Sequence, residues 1–226
     1  STMDMIFIVR QMQEKCIEQH RNLFAIFIDL TKAFDSINRS ALWAILQKLG
    51  CPRKFVNLIR LLHQDMTGEV YVGGETSEPF QITTGVKQGC ILAPVLFNLF
   101  LTQMIHSTLR NCTQGIYIKY RLDGSLFDLR RLSAKTKTQK RMITEAMFAD
   151  DCALMAHSES DLQTLATNFN EAAALYGLSV SVAKTEVLHP PVPCETSQLL
   201  NVKVNNSCLK TVDIFRYLGG TISNHH

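Results

Sequence analysis

The sequence has 226 residues, of which 46% are hydrophobic and 19% charged, and its formal net charge is +3. This composition is typical of a globular protein and excludes a disordered chain, while no apolar run approaches the roughly 18 residues that a membrane-spanning helix needs. The seven cysteines are scattered, without C-x-x-C pairs or histidines at zinc-ligand spacing, so they predict reduced thiols in an intracellular compartment.

Hydrophobic periodicity and turn residues divide the chain into short predicted elements. Apolar residues at helical spacing, with candidate caps at Ser40 and Ser160, predict helices over residues 3–19, 40–49, 52–65, 93–109 and 160–176. Short apolar runs bounded by turn residues predict strands over residues 23–28, 69–72, 80–83, 116–120, 126–129, 142–148, 152–156, 185–188 and 215–217. The mixture predicts an α+β fold, with a small sheet that packs helices against one face.

Three acidic residues lie where folding alone would not favour them. Asp29 ends a predicted buried strand, and Asp150-Asp151 lie at the tip of a predicted apolar hairpin. Neighbouring carboxylates repel unless a cation joins them, and oxygen ligands of this kind suit Mg²⁺. Two such ions about 4 Å apart can activate a hydroxyl and stabilise a leaving oxygen, so the acids predict phosphoryl or nucleotidyl transfer. A solvated Asp-Asp turn is the alternative from these residues alone.

Five motifs in a fixed order resemble those of reverse transcriptases. They are FIDLTKAFD at 27–35 (motif A), TGVKQGCILAPVLF at 84–97 (B), FADD at 148–151 (C), GLSVSVAKT at 177–185 (D) and FRYLGG at 215–220 (E). The sequence LTKAFD within motif A and the insertion between motifs B and C are most similar to those of enzymes from non-LTR (LINE-type) retrotransposons. The resemblance implies RNA-directed DNA polymerase activity and a polymerase palm-type antiparallel sheet backed by helices, with partial fingers elements.

The resemblance also implies which residues carry the chemistry. Asp29, Asp150 and Asp151, together with the backbone carbonyl of Leu30, would bind two Mg²⁺ ions, which Mn²⁺ could replace. Lys184 matches the motif D lysine that donates a proton to the departing pyrophosphate, which is general-acid catalysis. A solvated surface lysine is the simpler alternative for Lys184.

Further positions match residues that contact the substrates. Phe34 matches the bulky residue that excludes the 2′-hydroxyl of a ribonucleotide, with plain core packing as the alternative. Gln88 and Gly89 would line the pocket for the nucleotide and template, since glycine allows close backbone approach. Asp35 is interpreted as structural, capping or orienting the following segment. The primer's 3′ end would be gripped by a turn formed by Tyr217, Leu218, Gly219 and Gly220.

A basic insertion occupies residues 114–145, between motifs B and C. Residues 116–145 hold eight Lys/Arg and three acids, and Asp123-Gly124 predicts a hairpin there. Such a density of positive charge favours a nucleic-acid partner and a solvated face about equally. The resemblance implies an RNA template, a DNA primer and deoxynucleoside triphosphates as partners, and no membrane. The oligomeric state is not indicated.

The resemblance covers nearly the whole chain but only part of a polymerase. Residues 1–226 are therefore expected to be a fragment without the upstream fingers and the downstream thumb, weak or inactive alone. The expected location is the nucleus, a cytoplasmic ribonucleoprotein, or both. Two alternatives stay open: a non-catalytic relic of the palm fold that binds RNA or a protein, and an RNA-dependent RNA polymerase. The aromatic ring of Phe34 and the residues of motif B argue against an RNA-dependent RNA polymerase.

Overall fold

The structure, a computed structural model, describes residues 2–109, 112–121, 132, 137–190 and 200–223. The chain forms two compact units. The first unit comprises Ser1–Leu30, Thr108–Glu171 and Val180–His226, and the second comprises Thr31–Ser107 and Ala172–Ser179. No helix among the described residues is both long and apolar enough to cross a membrane. The six cysteines in these residues are free thiols.

The described helices are α1 (Thr2–Glu18), α2 (Ala33–Ser36), α3 (Arg39–Lys48), α4 (Arg53–Leu62), α5 (Ala93–Leu109) and α6 (Glu159–Leu175). All the predicted helices are confirmed, and α2 is an additional short turn. Both predicted caps were wrong by two positions. The side chain of Asn38, rather than Ser40, accepts the N–H of Ala41, and Ser158, rather than Ser160, accepts the N–H of Asp161. Both helices begin earlier than predicted, which leaves the two serines inside the first turn.

The described strands are β1 (Phe24–Ile28), β2 (Thr67–Gly68), β3 (Tyr71–Val72), β4 (Glu75–Thr76), β5 (Phe80–Gln81), β6 (Ile116–Arg121), β7 (Thr138–Ile143), β8 (Glu145–Phe148), β9 (Asp151–Ala156), β10 (Glu186–Leu188), β11 (Lys203–Val204), β12 (Ser207–Cys208), β13 (Lys210–Val212), β14 (Ile214–Tyr217) and β15 (Gly220–Ser223). The main sheet has the order β13-β10-β1-β9-β8. Its pairs are antiparallel except β10–β13, which is parallel. The predicted α+β class is confirmed.

Two predicted strand arrangements need correction. The predicted strand 142–148 is divided at Thr144 into β7 and β8, and β7 pairs with β6 rather than continuing into the main sheet. The predicted strand 126–129 and its turn at Asp123-Gly124 lie outside the described residues. The strands predicted at 69–72 and 80–83, joined through the Gly73-Gly74 turn region, are replaced by four two-residue strands: β2 pairs with β5, and β3 pairs with β4 around that turn.

The core of the first unit lies between α1 and one face of the main sheet. Ile6 and Val9 of α1 are buried against side chains of that face, including Phe27 and Met155. The ring of Phe27 stacks on Phe215 with centroids 4.0 Å apart. The strand that ends at Asp29 is therefore anchored by apolar packing along its whole length, which favours a fixed position for the acid.

Candidate functional site

The register of β1 and β9 brings two of the predicted acids together. Ile28 pairs with Cys152 at the end of this antiparallel ladder, and one further step places Asp29 opposite Asp151. Because side chains alternate along a strand, Asp29 and Asp151 share the sheet face that carries Phe27 and Ala153. The carboxylates thus meet at one end of the central strand pair, although the sequence separates them widely.

Asp150 lies in the turn between β8 and β9. Phe148 pairs with Asp151, so the hairpin turn consists of Ala149 and Asp150. Ala149 has φ 53°, the positive value that a two-residue hairpin turn requires at its first position. That conformation is costly for a residue other than glycine, and such strain is concentrated at functional sites. The turn presents Asp150 directly beside Asp151.

The electrostatics of the three acids reflect this proximity. Burial, then the charge of Asp150, then the charge of Asp29 raise the pKa of the Asp151 carboxyl. A divalent cation would relieve the repulsion, and an all-oxygen donor set suits Mg²⁺ or Mn²⁺. Within the described residues, no group of three or more His, Cys, Asp or Glu side chains could hold a metal ion by itself. The acids fit Mg²⁺ by their chemistry, because this ion binds through one or two carboxylates and keeps water and substrate phosphates as its other ligands.

Two residues of motif D hold the backbone of Asp29. The N–H of Asp29 donates to Oγ1 of Thr185, at 3.3 Å, and the N–H of Ser181 donates to the Asp29 carbonyl, at 2.9 Å. Thr185 is completely buried. Its role was not predicted, although a hydroxyl at the start of an apolar run (residues 185–188) is a usable signal. These bonds fix the direction in which the Asp29 side chain leaves the sheet.

Leu30 follows Asp29, just beyond the end of β1. It forms an antiparallel bridge with Val180, flanked by hydrogen bonds from Ser181 to Asp29 and from Thr31 to Ser179. In such a bridge the peptide groups of the central residue point away from its partner. The Leu30 carbonyl therefore faces the β9 side of β1, where Asp151 lies, while the Leu30 side chain is buried.

Lys184 lies close to the first acid. Its Nζ is 3.7 Å from Oδ1 of Asp29, and the lysine side chain is 72% exposed. An exposed pair at this distance contributes little stability because water screens it. The geometry brings an exposed ammonium group next to the Asp29 carboxylate, where a proton donor and a solvated counter-charge are both compatible with it.

Phe34 and the segment before Gln88 are joined within the second unit. The N–H of Val86 donates to the Phe34 carbonyl and the N–H of Gly85 donates to the Ile37 carbonyl, both at 2.8 Å. The Phe34 ring stacks on the fully buried ring of Phe97, with centroids 4.4 Å apart, and is itself half-buried. One side of Phe34 is thus packed in the core while part of the ring stays accessible.

A cavity of about 560 Å³ adjoins this junction, lined by residues that include Asp35, Phe80 and Gln88. Gln88 and Gly89 are exposed, and Gly89 has φ 85°. A Cβ at Gly85 would lie 2.6 Å from the backbone of Asp35, so only glycine fits there. Asp35 contributes only its backbone to this contact, and the structural role of its side chain stays a prediction.

Arg39 organises the segment and was missed by the sequence analysis. Its guanidinium donates to four carbonyls, those of His63, Ile82, Thr84 and Gly85, at 2.8–3.1 Å. Its acceptors are backbone groups of any residue type, so no side-chain pattern reveals them. Arg39 fixes the path of the chain just before Gln88.

The predicted primer-grip turn joins β14 and β15. Tyr217 pairs with Gly220, leaving Leu218 (φ 51°) and Gly219 (φ 84°) in the turn. The Tyr217 ring is 2% exposed, 5.3 Å from Phe27, and its hydroxyl has no hydrogen-bond partner among the described residues. A Cβ at Gly220 would approach Ile6 of α1 to 2.8 Å. Tyr217 and Gly220 therefore pack against the core, Leu218 is partly buried against it, and Gly219 is exposed.

Comparison with known proteins points to one family. A family model described as "Reverse transcriptase (RNA-dependent DNA polymerase)" matches residues 1–222. The chain is 26% identical over 208 residues to the Pol polyprotein of the type-2 retrotransposable element R2DM of Drosophila melanogaster. This alignment covers 88% of this chain and 17% of that protein. It is 28% identical over 209 residues to the type-1 element R2 Pol polyprotein of Popillia japonica, which covers 89% and 27%. The RNA-directed DNA polymerase from the mobile element jockey of Drosophila melanogaster is 21% identical over 214 residues, which covers 92% and 20%.

Solved structures share the fold at low sequence identity. Telomerase from Candida albicans in complex with a TWJ fragment of telomeric RNA superposes with a TM-score of 0.63 at 12% identity, covering 99% of this chain and 33% of that one. Apo telomerase from Candida tropicalis gives 0.59 at 14% identity, with 99% and 40% covered. The likeness shows a palm-type polymerase fold. In length, the chain spans 17–27% of the curated relatives described above.

Proposed function

Since the chain belongs to the reverse transcriptase family, in the branch of non-LTR retrotransposon Pol proteins, we propose that it forms the catalytic centre of an RNA-directed DNA polymerase. Reverse transcriptase domains use divalent metal ions and act on nucleic acids. In the proposed reaction, the 3′ end of a DNA primer on an RNA template is extended from deoxynucleoside triphosphates. The protein would act inside the cell, in the nucleus or in a cytoplasmic ribonucleoprotein.

The observation that carries the proposal is the meeting of Asp29 and Asp151 across the β1–β9 pair, with Asp150 in the adjoining turn. These acids and the Leu30 carbonyl would hold two Mg²⁺ ions. When bound, the ions would supply activation of the primer hydroxyl and neutralisation of the phosphate charge. The chain itself supplies the fixed direction of the carboxylates, through the hydrogen bonds on Asp29.

Other residues would bind and select the substrates. Lys184, beside Asp29, would give a proton to the departing pyrophosphate, and the accessible part of the Phe34 ring would exclude a 2′-hydroxyl. Gln88 and Gly89 would line the pocket for the templating base and nucleotide. Leu218 and Gly219 would contact the primer end, and the buried ring of Tyr217 would hold their turn in place.

Manganese binding to the purified chain tests the metal site without requiring turnover. The free Mn²⁺ signal in electron paramagnetic resonance should fall on titration with the wild-type chain. Asp150→Asn should weaken this binding at least about ten-fold, because it removes a ligand from a site with few protein ligands. Glu171→Gln, which removes an exposed carboxylate on α6, is the matched control and should bind like the wild type.

Primer extension by a longer protein that contains this chain tests the activity. Asp150→Asn should reduce incorporation by about three orders of magnitude or more, because stabilisation of the transferring phosphoryl group is lost. Unchanged Mn²⁺ binding and unchanged extension in Asp150→Asn would refute the proposal. A wild-type chain that binds RNA but neither Mn²⁺ nor nucleotide would instead indicate a non-catalytic relic of the fold.

A further inference from the structure

The two-stranded ribbon formed by β6 and β7 has two unlike faces. Its register pairs Ile116 with Ile143 and Lys119 with Lys140. Ile116 and Ile118 are buried in the core of the first unit. Because side chains alternate along each strand, Tyr117, Lys119 and Lys140 lie together on the opposite, outward face of the ribbon. The inward face packs in the core, whereas Lys119 and Lys140 of the outward face take no part in that packing.

The outer edge of β6 is fixed by side chains. The N–H of Lys119 donates to Oε1 of Gln19 at 3.2 Å, while the amide of Gln19 donates back to the Lys119 carbonyl at 3.0 Å. The N–H of Tyr117 donates to Nε2 of His157 at 2.7 Å. These bonds occupy the edge at which another strand could pair with β6. They also fix the orientation of the outward face.

The same bonds indicate that the side chains of Lys119 and Lys140 lie close together. Since the peptide groups of Lys119 point to Gln19, its pair with Lys140 is of the non-hydrogen-bonded kind, in which opposite Cβ atoms are about 4.5–5.5 Å apart. Like charges in this position destabilise a sheet. Within the described parts of the chain, neither ammonium group has a carboxylate partner, and Nζ of Lys140 lies 3.9 Å above the Tyr117 ring. An anion on this face would remove the repulsion.

The charge of the ribbon is unbalanced. Residues 116–121 and 137–143 contain five Lys/Arg and no acid, whereas the whole chain carries only +3. Positive side chains next to an aromatic ring on a rigid surface suit a single-stranded nucleic acid better than a compact anion, because the phosphates recur along the strand.

We propose that the outward face of the β6–β7 ribbon binds single-stranded template RNA through its phosphates, without reading its sequence. The choice of template RNA as the ligand rests on the proposed function. An enzyme that copies RNA must hold the single-stranded template before the first nucleotide is added. DNA enters only as primer and product. Lys119 and Lys140 are assigned as phosphate-binding residues, and Tyr117 holds the Lys140 ammonium over the face.

Fluorescence anisotropy of the full chain tests this with a labelled, unstructured RNA of about 20 nucleotides, longer than one site on such surfaces. The buffer contains EDTA, so the result is independent of the metal site and of catalysis. The double variant Lys119→Gln/Lys140→Gln should bind RNA about ten-fold more weakly, and the slope of log affinity against log salt should fall by about 1.4, or 0.7 per phosphate contact. Its melting temperature should be unchanged or higher, since the cross-strand repulsion is gone.

Lys48→Gln/Lys203→Gln removes the same charge from exposed sites outside the ribbon and should stay within about two-fold of wild type. Equal losses in the two double variants, or no loss in either, would overturn the proposal, because the ribbon would then be no special site. A DNA strand of the same sequence should lose affinity by a similar factor, because both backbones present the same phosphates to the two lysines. A loss for RNA without a loss for DNA would overturn binding through the phosphates. Failed Mn²⁺ binding or primer extension would count against the proposed function and leave this measurement unaffected.

Discussion

The two units hold their candidate site residues by different physical means. In the first unit, Asp29 and Asp151 stand at the ends of paired strands, and the register of the main sheet determines that they meet. In the second unit, Phe34 and Gln88 lie in a short helical turn and a loop, where no strand ladder passes. Their positions depend on backbone hydrogen bonds, on the Arg39 guanidinium and on a glycine contact.

This difference matches the tasks proposed for the two groups. Repelling carboxylates need a rigid frame, because the folded chain must keep them together before any cation binds. Groups that select a sugar or a base need a precise shape, which close packing such as that of Phe34 on Phe97 provides. The comparison therefore predicts that substitutions in the second unit disturb shape first, whereas those in the first unit disturb charge first.

A large effect on stability is expected in the second unit, at Gly85. An alanine Cβ would lie 2.6 Å from the Asp35 backbone, and the φ of +76° disfavours any side chain. Gly85→Ala should lower the free energy of unfolding by about 3 kcal/mol, combining the conformational cost with overpacking. Urea denaturation measures it. Gly73→Ala is the matched control, because its φ is also positive but nothing lies within 4 Å, so a loss of only about 1 kcal/mol is expected. Equal losses would show that the contact with Asp35 does not fix this junction.

The next effect is one on selectivity. In a longer active protein, Phe34→Ala should relax discrimination against ribonucleotides by about 10–100-fold while deoxynucleotide incorporation persists, because the ring acts by excluding an atom. Steady-state incorporation of a matched ribo- and deoxynucleotide measures the ratio. Asp150→Asn should behave in the opposite way, with both substrates failing together. If Phe34→Ala keeps the sugar preference, Phe34 is core packing, and exposed Asp35 becomes the candidate for ribose contact.

The sequence predicts the first unit's site better than the second's. An apolar run that ends at Asp29 and two that flank Asp150-Asp151 are visible along the chain, and their order among five motifs predicts that the strands meet. The second unit's junction depends on Arg39 bonded to carbonyls and on Gly85 against the Asp35 backbone, and backbone acceptors leave no trace in residue type. The four short strands between residues 67 and 81 were not predicted individually, because two-residue strands carry no usable periodicity.

A smaller effect tests whether Tyr217 belongs to the core or to the primer. Its hydroxyl is buried without a partner among the described residues, and burial raises its pKa, so it stays neutral. Tyr217→Phe should leave the unfolding free energy unchanged or raise it by up to about 1 kcal/mol, because an unsatisfied buried hydroxyl is costly. Tyr217→Ala, which also removes the ring, should cost about 3–5 kcal/mol. A clear destabilisation by Tyr217→Phe in urea denaturation would mean that the hydroxyl is bonded after all.

The smallest effect concerns the repulsion at the acids themselves. Because the pKa of Asp151 is raised in the folded chain, its contribution to stability is present below the unfolded pKa, near 3.8, and is lost as pH rises through the folded value. Asparagine stays neutral, so Asp151→Asn should melt about 1–3 °C higher than the wild type at pH 7 in EDTA, and the gap should close towards pH 4. Glu171→Gln, an exposed carboxylate on α6, should not show this pattern. Added Mg²⁺ should narrow the gap at pH 7, because an ion between the acids stabilises only the charged form. A lower melting temperature for Asp151→Asn in EDTA would mean that the carboxylate is stabilised by the fold, and the distinction between a charge-strained first unit and a shape-dependent second unit would fail.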